Sequence, residues 1–405
     1  MTPSLKAVHT RVPKVVTIAE LEADPHGVFR RDRGGDPFVR RDDGVYLIIR
    51  ASEVNSLIDG EPTRYVEPEL AQLHGITKGA LFDLCNNAML MSNGAMHSGR
   101  RAPLVRTFTF RMIDGLRPRV RSYANDIIDQ HQAQNRMELL TDYASLIPAR
   151  TAAFVLGIPH EDEPKFTNLV SKVARIFAYA VRPEEISGIE KAAQELNDYV
   201  GALIEFRRRH PRGDFLSEYV AAVDGKGELT SLEAVMQIIS VILAASNPTH
   251  TAMVIQTAVL LKHRPQWNTL CEYPGLVPKA VVEALRFEPP IASVSYLARE
   301  SIEIDGQTIP VGALVSLMTI SAMRDEQIYP DPDRLDILRD QPRWHPVLGG
   351  GERGFLGEAL AKIELEEGLL ALITRLPDLH AEGEQFEVRG HAGLRRVSPL
   401  HLRWS

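Results

Sequence analysis

The chain predicts a mainly α fold with small β-sheets, organised as one domain over residues 1–405. Three observations carry this. The longest apolar run, Ser231 to Arg264, has helical and not alternating periodicity. Two further stretches, Glu138 to Ile158 and Ile189 to Arg209, show the same period. Strand-like alternation is confined to two patches, Phe38 to Ile49 and Ile302 to Leu317, each with an Asp-Gly pair for a turn.

Composition sets the outer limits. The chain has 405 residues, 44% hydrophobic and 24% charged, as expected of a globular protein with a large core. No linker, low-complexity run or repeat divides it. The formal net charge of −7 argues against a nucleic-acid partner. The first twenty residues lack a signal-type apolar stretch, and no span is expected to reach transmembrane length. The expectation is a cytoplasmic protein without a membrane partner. The two cysteines, Cys85 and Cys271, have no metal-type or redox-type spacing and read as buried small hydrophobes.

Taken in order, the elements justify themselves locally. FVRRDDGVYLII at Phe38 reads as a hairpin. His97 and Arg101 fall one turn apart on a helix, where they can clamp one anion. The Ser231 helix has Ser231 and Glu233 at its start and Pro265 as a stop. Apolar nearly all round, it should run through the middle of the molecule. Pro248 lies inside it; proline has no N–H to offer the Ala244 carbonyl, and a kink is expected. Glu283 and Arg286 are a turn apart and can pair. Near the end, three glycines, Gly349 to Gly351, follow Leu348 and lead through Arg353, Phe355 and Gly357 into a helix carrying Leu360 and Ile363. A glycine loop thus hands over to a buried helix.

That last stretch resembles the haem-binding loop of the cytochrome P-450 family, Phe-Gly-x-Gly-x-His/Arg-x-Cys-x-Gly. Leu348 stands at the Phe position, and Gly349, Gly351, Arg353 and Gly357 match. Phe355 stands where the family has the cysteine whose thiolate binds iron. The resemblance runs from the first hairpin to the C-terminus and implies that family's fold. It implies that His97 and Arg101 descend from residues gripping a haem propionate, and that a further propionate arginine is replaced by Tyr296. It implies that Glu283, Arg286 and Arg334 form a structural brace before the loop. On the central helix, Ala244, Ala245, Asn247, Pro248 and Thr249 align with the family's Ala-Gly-x-Asp/Glu-Thr-Thr. The proton-relaying acid and alcohol become Asn247 and Pro248, and Thr249 keeps a hydroxyl on a face rotated by about 100°.

A phenyl ring has no lone pair to donate to iron. The resemblance therefore implies a haem-free pseudoenzyme, similar to proteins that activate glycosyltransferases in secondary metabolism, with no cofactor expected and a partner protein or a small apolar ligand instead. Two alternatives stand beside it. One is non-redox chemistry, cyclisation or isomerisation, in the emptied pocket, with Asn247, Thr249, His250 and Cys85 as candidate polar groups. The other is a haem monooxygenase, an oxidoreductase, with an atypical axial ligand or none. No metal site other than iron is read from the sequence.

Overall fold

The computed structural model describes residues 12–340 and 354–405, apart from residues 59–61, 67–68, 74, 109, 178–180, 226, 228 and 384–385. Of the predicted site residues, Leu348, Gly349, Gly351 and Arg353 lie outside the described residues. Six helices position the site: α1 (Ala80–Asn87), α2 (Gly94–Thr107), α3 (Leu146–Leu156), α4 (Ser231–Lys262), α5 (Val277–Phe287) and α6 (Glu358–Arg375).

α4 is the axis of the packing. It starts at a reciprocal cap: the Glu233 N–H donates to Thr230 Oγ1, and the Thr230 N–H donates to the Glu233 carboxylate at 3.0 Å. It then packs against α1, α3, α5, α6 and the long helix Pro183–Arg209. Its apolar side chains, Met236 and Ile239 to Leu260, enter two of the four hydrophobic clusters. α6 crosses it closely at Gly368, where a Cβ would meet Met253 Cε at 3.0 Å. The helix continues through Pro248 as one element.

α4 is long and apolar enough to cross a membrane, which overturns the expectation that no span reaches that length. The reason for its composition lies in the packing: 67% of its most apolar window is buried inside the protein, as befits a core helix.

The main sheet has six strands: β1 (Val15–Val16), β2 (Phe38–Arg41), β3 (Tyr46–Ile48), β4 (Thr63–Tyr65), β5 (Val294–Ala298) and β6 (Leu314–Leu317), in the order β1-β2-β3-β6-β5-β4. β2 and β3 form the expected hairpin, Phe38 opposite Ile48. The second strand-like patch divides in two. Ile302–Ile304 pairs with Gln307–Ile309 around Asp305 and Gly306, both at positive φ, as a two-residue hairpin turn requires. Leu314–Leu317 instead joins the main sheet between β3 and β5.

One predicted helix begins irregularly. Leu140–Ala144 form a single π-helical turn that leads into the α-helix Leu146–Leu156. Glu138 lies at the end of a strand, and its carboxylate accepts from the Leu140 and Thr141 N–H groups. Asp142 accepts from the Glu138 N–H at 2.8 Å, and the Ser145 N–H reaches back five residues to the Leu140 carbonyl. Acidic side chains here cap backbone N–H groups that the start of a helix leaves without partners.

Candidate functional site

A cavity of about 290 Å3 opens between α2, α4, the start of α6 and strand β5. From α4 it is walled by Val241, Ala244, Pro248, Thr249 and Ala252. Positions 241, 244, 248 and 252 recur at helical spacing, so one stripe of α4 faces the space. From α2 come His97 and Arg101, which share a helix face one turn apart. β4 and β5 bring Tyr65 and Tyr296, directly opposed in register, their rings edge to face at 5.1 Å. The Tyr296 hydroxyl donates to the Ile58 carbonyl at 3.4 Å.

The floor is built by the turn into α6. The Glu358 N–H donates to the Phe355 carbonyl at 3.1 Å, and the Ala361 N–H to the Gly357 carbonyl at 2.8 Å. The Phe355 ring folds down onto Gly357: a Cβ there would lie 2.7 Å from its Cζ. Glycine at 357 is thus what lets the ring lie in the wall of the cavity. Arg101 ties this turn to α2, its Nη2 donating to the Gly354 carbonyl at 2.7 Å. Lys362, one turn into α6, lines the same space and pairs with Glu358 at 2.6 Å.

Of the polar candidates proposed for the pocket, only Thr249 is in the wall. Asn247 and His250 lie about 100° and 200° around the helix from Pro248 and are turned away. Burial pushes the His250 imidazole down to about 4, so it is neutral. Ala245 is likewise off the stripe. Cys85 packs inside the α1 cluster, where burial pushes its thiol up to about 11. Cys271 is half-buried in the helix Arg264–Glu272, its thiol also raised by burial. Neither cysteine touches the cavity.

The brace is present with one member exchanged. Glu283 receives Arg286 in two bonds, Nε to Oε2 at 2.7 Å and Nη2 to Oε1 at 2.9 Å. The second guanidinium is that of Arg339, with Nε 3.2 Å from Glu283 Oε1. The expected Arg334 has an exposed side chain and gives only its carbonyl, to Arg286 and to Arg339. The chain turns at Asp331, at φ +48°, and both residues come back to α5, Arg334 by its carbonyl and Arg339 by its guanidinium.

Sequence reasoning missed Lys362, Tyr65 and Glu364. The first is signalled by its i,i+4 pairing with Glu358. Glu364 has no such signal. It is 1% exposed on α6, hydrogen-bonded to the Thr151 hydroxyl, with Oε2 unpartnered. Burial pushes its carboxyl up to about 8, so it is protonated near neutrality. Among the described residues no cluster of His, Cys, Asp and Glu could hold a metal ion.

The chain resembles known proteins along most of its length. The family described as Cytochrome P450 matches residues 255–385. A plant-inducible cytochrome P450-pinF1 of Rhizobium radiobacter is 41% identical over 97% of this chain and 93% of its own. A mycinamicin IV hydroxylase/epoxidase of Micromonospora griseorubida is 31% identical over 88% of each. A solved myxobacterial cytochrome P450 in complex with myristic acid superposes with a TM-score of 0.85 at 28% identity, covering 95% of this chain and 98% of that one.

Proposed function

The chain belongs to the cytochrome P450 family, and from that premise we propose that it is a haem-deficient member, not a working monooxygenase. The observation that carries this is Phe355. It precedes α6 by three residues, lies in the cavity wall, and corresponds in the family motif to the cysteine that binds iron. The resident group of the family can be tested against the residues present. A slot lined by apolar side chains, with His97 and Arg101 at one wall, suits a flat ring with anionic arms. The donor set does not suit its iron: the family's chemistry needs a thiolate, and neither cysteine reaches the cavity. Haem-thiolate therefore does not fit, and no reaction step is routed through it.

The names of the relatives speak of oxygenation, and that is their activity. For this chain the reading is an auxiliary role in the cytoplasm, as a partner that stabilises or activates a biosynthetic enzyme. Its support is the retention of a P450 fold around a site lacking both the axial thiolate and the relay pair, replaced by Phe355, Asn247 and Pro248. Non-redox turnover in the pocket is the second reading. It is favoured by a wall that includes three hydroxyl-bearing residues, Thr249, Tyr65 and Tyr296.

The test is spectral. The purified chain, reconstituted with haemin, reduced and exposed to carbon monoxide, is expected to give no thiolate-type band. Appearance of that band overturns the reading. Copurification of a biosynthetic enzyme from the native host supports the auxiliary role, and recovery alone under gentle conditions counts against it.

A further inference from the structure

We propose that His391 is a proton-sensitive latch: on taking up a proton its ring lets go of the N-terminal sheet, and the hairpin of residues 388–397 then frees the cavity wall at Pro290 and Ile291. The latch works the same whatever the cavity takes.

His391 lies between the hairpin strands Val388–Arg389 and Arg396–Val397 and is fully buried. Its ring is gripped by two elements of the N-terminal segment. Nδ1 lies 2.8 Å from Glu22 Oε1, on the helix Ile18–Ala23, and Nε2 lies 3.1 Å from Arg41 Nη1, on β2. A guanidinium only donates, so Nε2 is the acceptor, and the proton of the neutral ring sits on Nδ1 facing the carboxylate. A second proton has only Nε2 to go to. There it would point at the Arg41 N–H, and an attraction would become a repulsion. Arg41 is fixed in this pose by Asp43, through Nε at 2.8 Å and Nη2 at 2.6 Å.

Among the described residues, the charged groups that face the ring are Glu22, Arg41 and Asp43. On its own hairpin Arg395 is committed elsewhere, to the Gly390 and Val388 carbonyls and to Glu288. Burial, with Arg41, holds the imidazole below its ordinary 6.5 against the pull of the two carboxylates. Above that value the ring is neutral whether the latch is shut or open. As pH falls below it, an open, solvated ring takes up a proton that the shut ring refuses, so acid favours opening.

The same hairpin holds the wall. The Ala292 N–H donates to the Gly393 carbonyl and the Arg395 N–H to the Pro290 carbonyl, each at 2.8 Å, and Ile291 bridges to Leu394. Pro290 and Ile291 line the cavity. His391 stands two residues before Gly393, so releasing its ring removes the outer anchor of these bonds.

Hydrogen exchange of the full chain tests this, read in peptides containing Ala292 and Arg395 and corrected for the intrinsic rate at each pH. At about pH 5.5 a solvated imidazole of ordinary value is roughly ten parts protonated to one. Corrected exchange of these two amides should therefore speed up about tenfold between about pH 7.5 and about pH 5.5, while α6 stays protected. His391→Gln, which offers Arg41 an oxygen that takes up no proton, should abolish the response. Arg41→Gln, which leaves the charged ring facing Glu22 without an opposing cation, should weaken it. His26, the other histidine of the N-terminal segment, bonds Glu288 at 3.2 Å, and His26→Gln should leave the response in place.

Corrected exchange that does not change with pH overturns the proposal. So does a response that persists in full in His391→Gln or Arg41→Gln, or one that His26→Gln removes. Loss of protection spread equally over α6 marks general acid unfolding and overturns it as well.

Discussion

Arg339, not Arg334, closes the ion pair on Glu283. Its Nε sits 3.2 Å from the Oε1 that also accepts Arg286 Nη2 and the Asp336 N–H. One carboxylate thereby holds α5 to the residues that follow it in the chain. Both Glu283 and Arg286 are fully buried.

The relationship predicts opposite fates for two arginines. Arg339→Ala leaves a buried carboxylate short of one charged partner and should cost about 1–3 kcal/mol in urea unfolding. Arg334→Ala keeps the carbonyl that Arg286 and Arg339 use, and should fall within about 0.5 kcal/mol. Equal losses would show that the long side chain of Arg334 contributes after all.

What could be read in advance follows a physical divide. α4 was legible because its apolar period is long and its cap and stop are local in sequence. His97, Arg101 and the turn at Gly357 were legible because they lie in short motifs of fixed spacing. The π-helical turn at Leu140–Ala144 was not, because residue types alone do not distinguish it from a regular turn of the helix that follows. Arg334 and Arg339 lie in one loop, and residue types alone do not say which of the two guanidinium groups faces Glu283. Asn247 and His250 entered the candidate set as neighbours in sequence, whereas a helix separates neighbours by about 100°. Glu364 shares the stretch Lys362 to Glu367 with two other glutamates, and nothing in the residue types marks it as the one buried away from any cation.

A second prediction concerns acid. Glu288 is buried between Arg395, Arg324 and His26, and despite the opposing effect of burial the two guanidinium groups and the His26 hydrogen bond hold its carboxyl far below the usual range. A depressed folded value contributes stability above the unfolded value, ~4.3, that is lost as pH falls. Glu288→Gln should therefore cost about 3–5 kcal/mol at neutral pH. The gap to the natural chain should narrow below about pH 4. A pH-independent gap in unfolding free energy would refute the electrostatic account.

A third concerns Glu364, where the sign reverses. Its carboxyl is raised by burial to about 8. Such a group contributes most below the unfolded value, and the contribution is lost as pH climbs toward the folded one. Glu364→Gln keeps the shape and removes the proton requirement. Its stability relative to the natural chain should rise from about pH 5 to about pH 8, by a few kcal/mol at the upper end. Thermal unfolding across that range checks it, and a flat difference would mean that the carboxyl finds water when it ionises.

The last prediction is rescue at Phe355. Phe355→Cys places a thiol in the cavity wall just before α6, where the positive end of the helix dipole favours a thiolate. It also removes the ring that lies on Gly357 and so deepens the floor. Arg101 and His97 remain in place for anionic arms. With haemin, the variant is expected to give a thiolate-type carbon monoxide band, and the natural chain none. Ligation alone does not deliver protons, and the family's acid and alcohol are here Asn247, turned away from the cavity, and Pro248, which has no hydroxyl. Losing positioned proton donors costs on the order of 100- to 10,000-fold in rate. Product formed per reductant consumed should therefore stay low in Phe355→Cys and rise when Asn247→Asp and Pro248→Thr are added. The one hydroxyl that α4 does present, from Thr249, makes the comparison sharp. If Phe355→Cys alone couples as well as the triple variant, Thr249 suffices as donor and the loss of oxygen chemistry resides in residue 355 alone. If Phe355→Cys takes up haemin without the thiolate band, position 355 does not face the iron, and the assignment of the missing ligand to it is wrong.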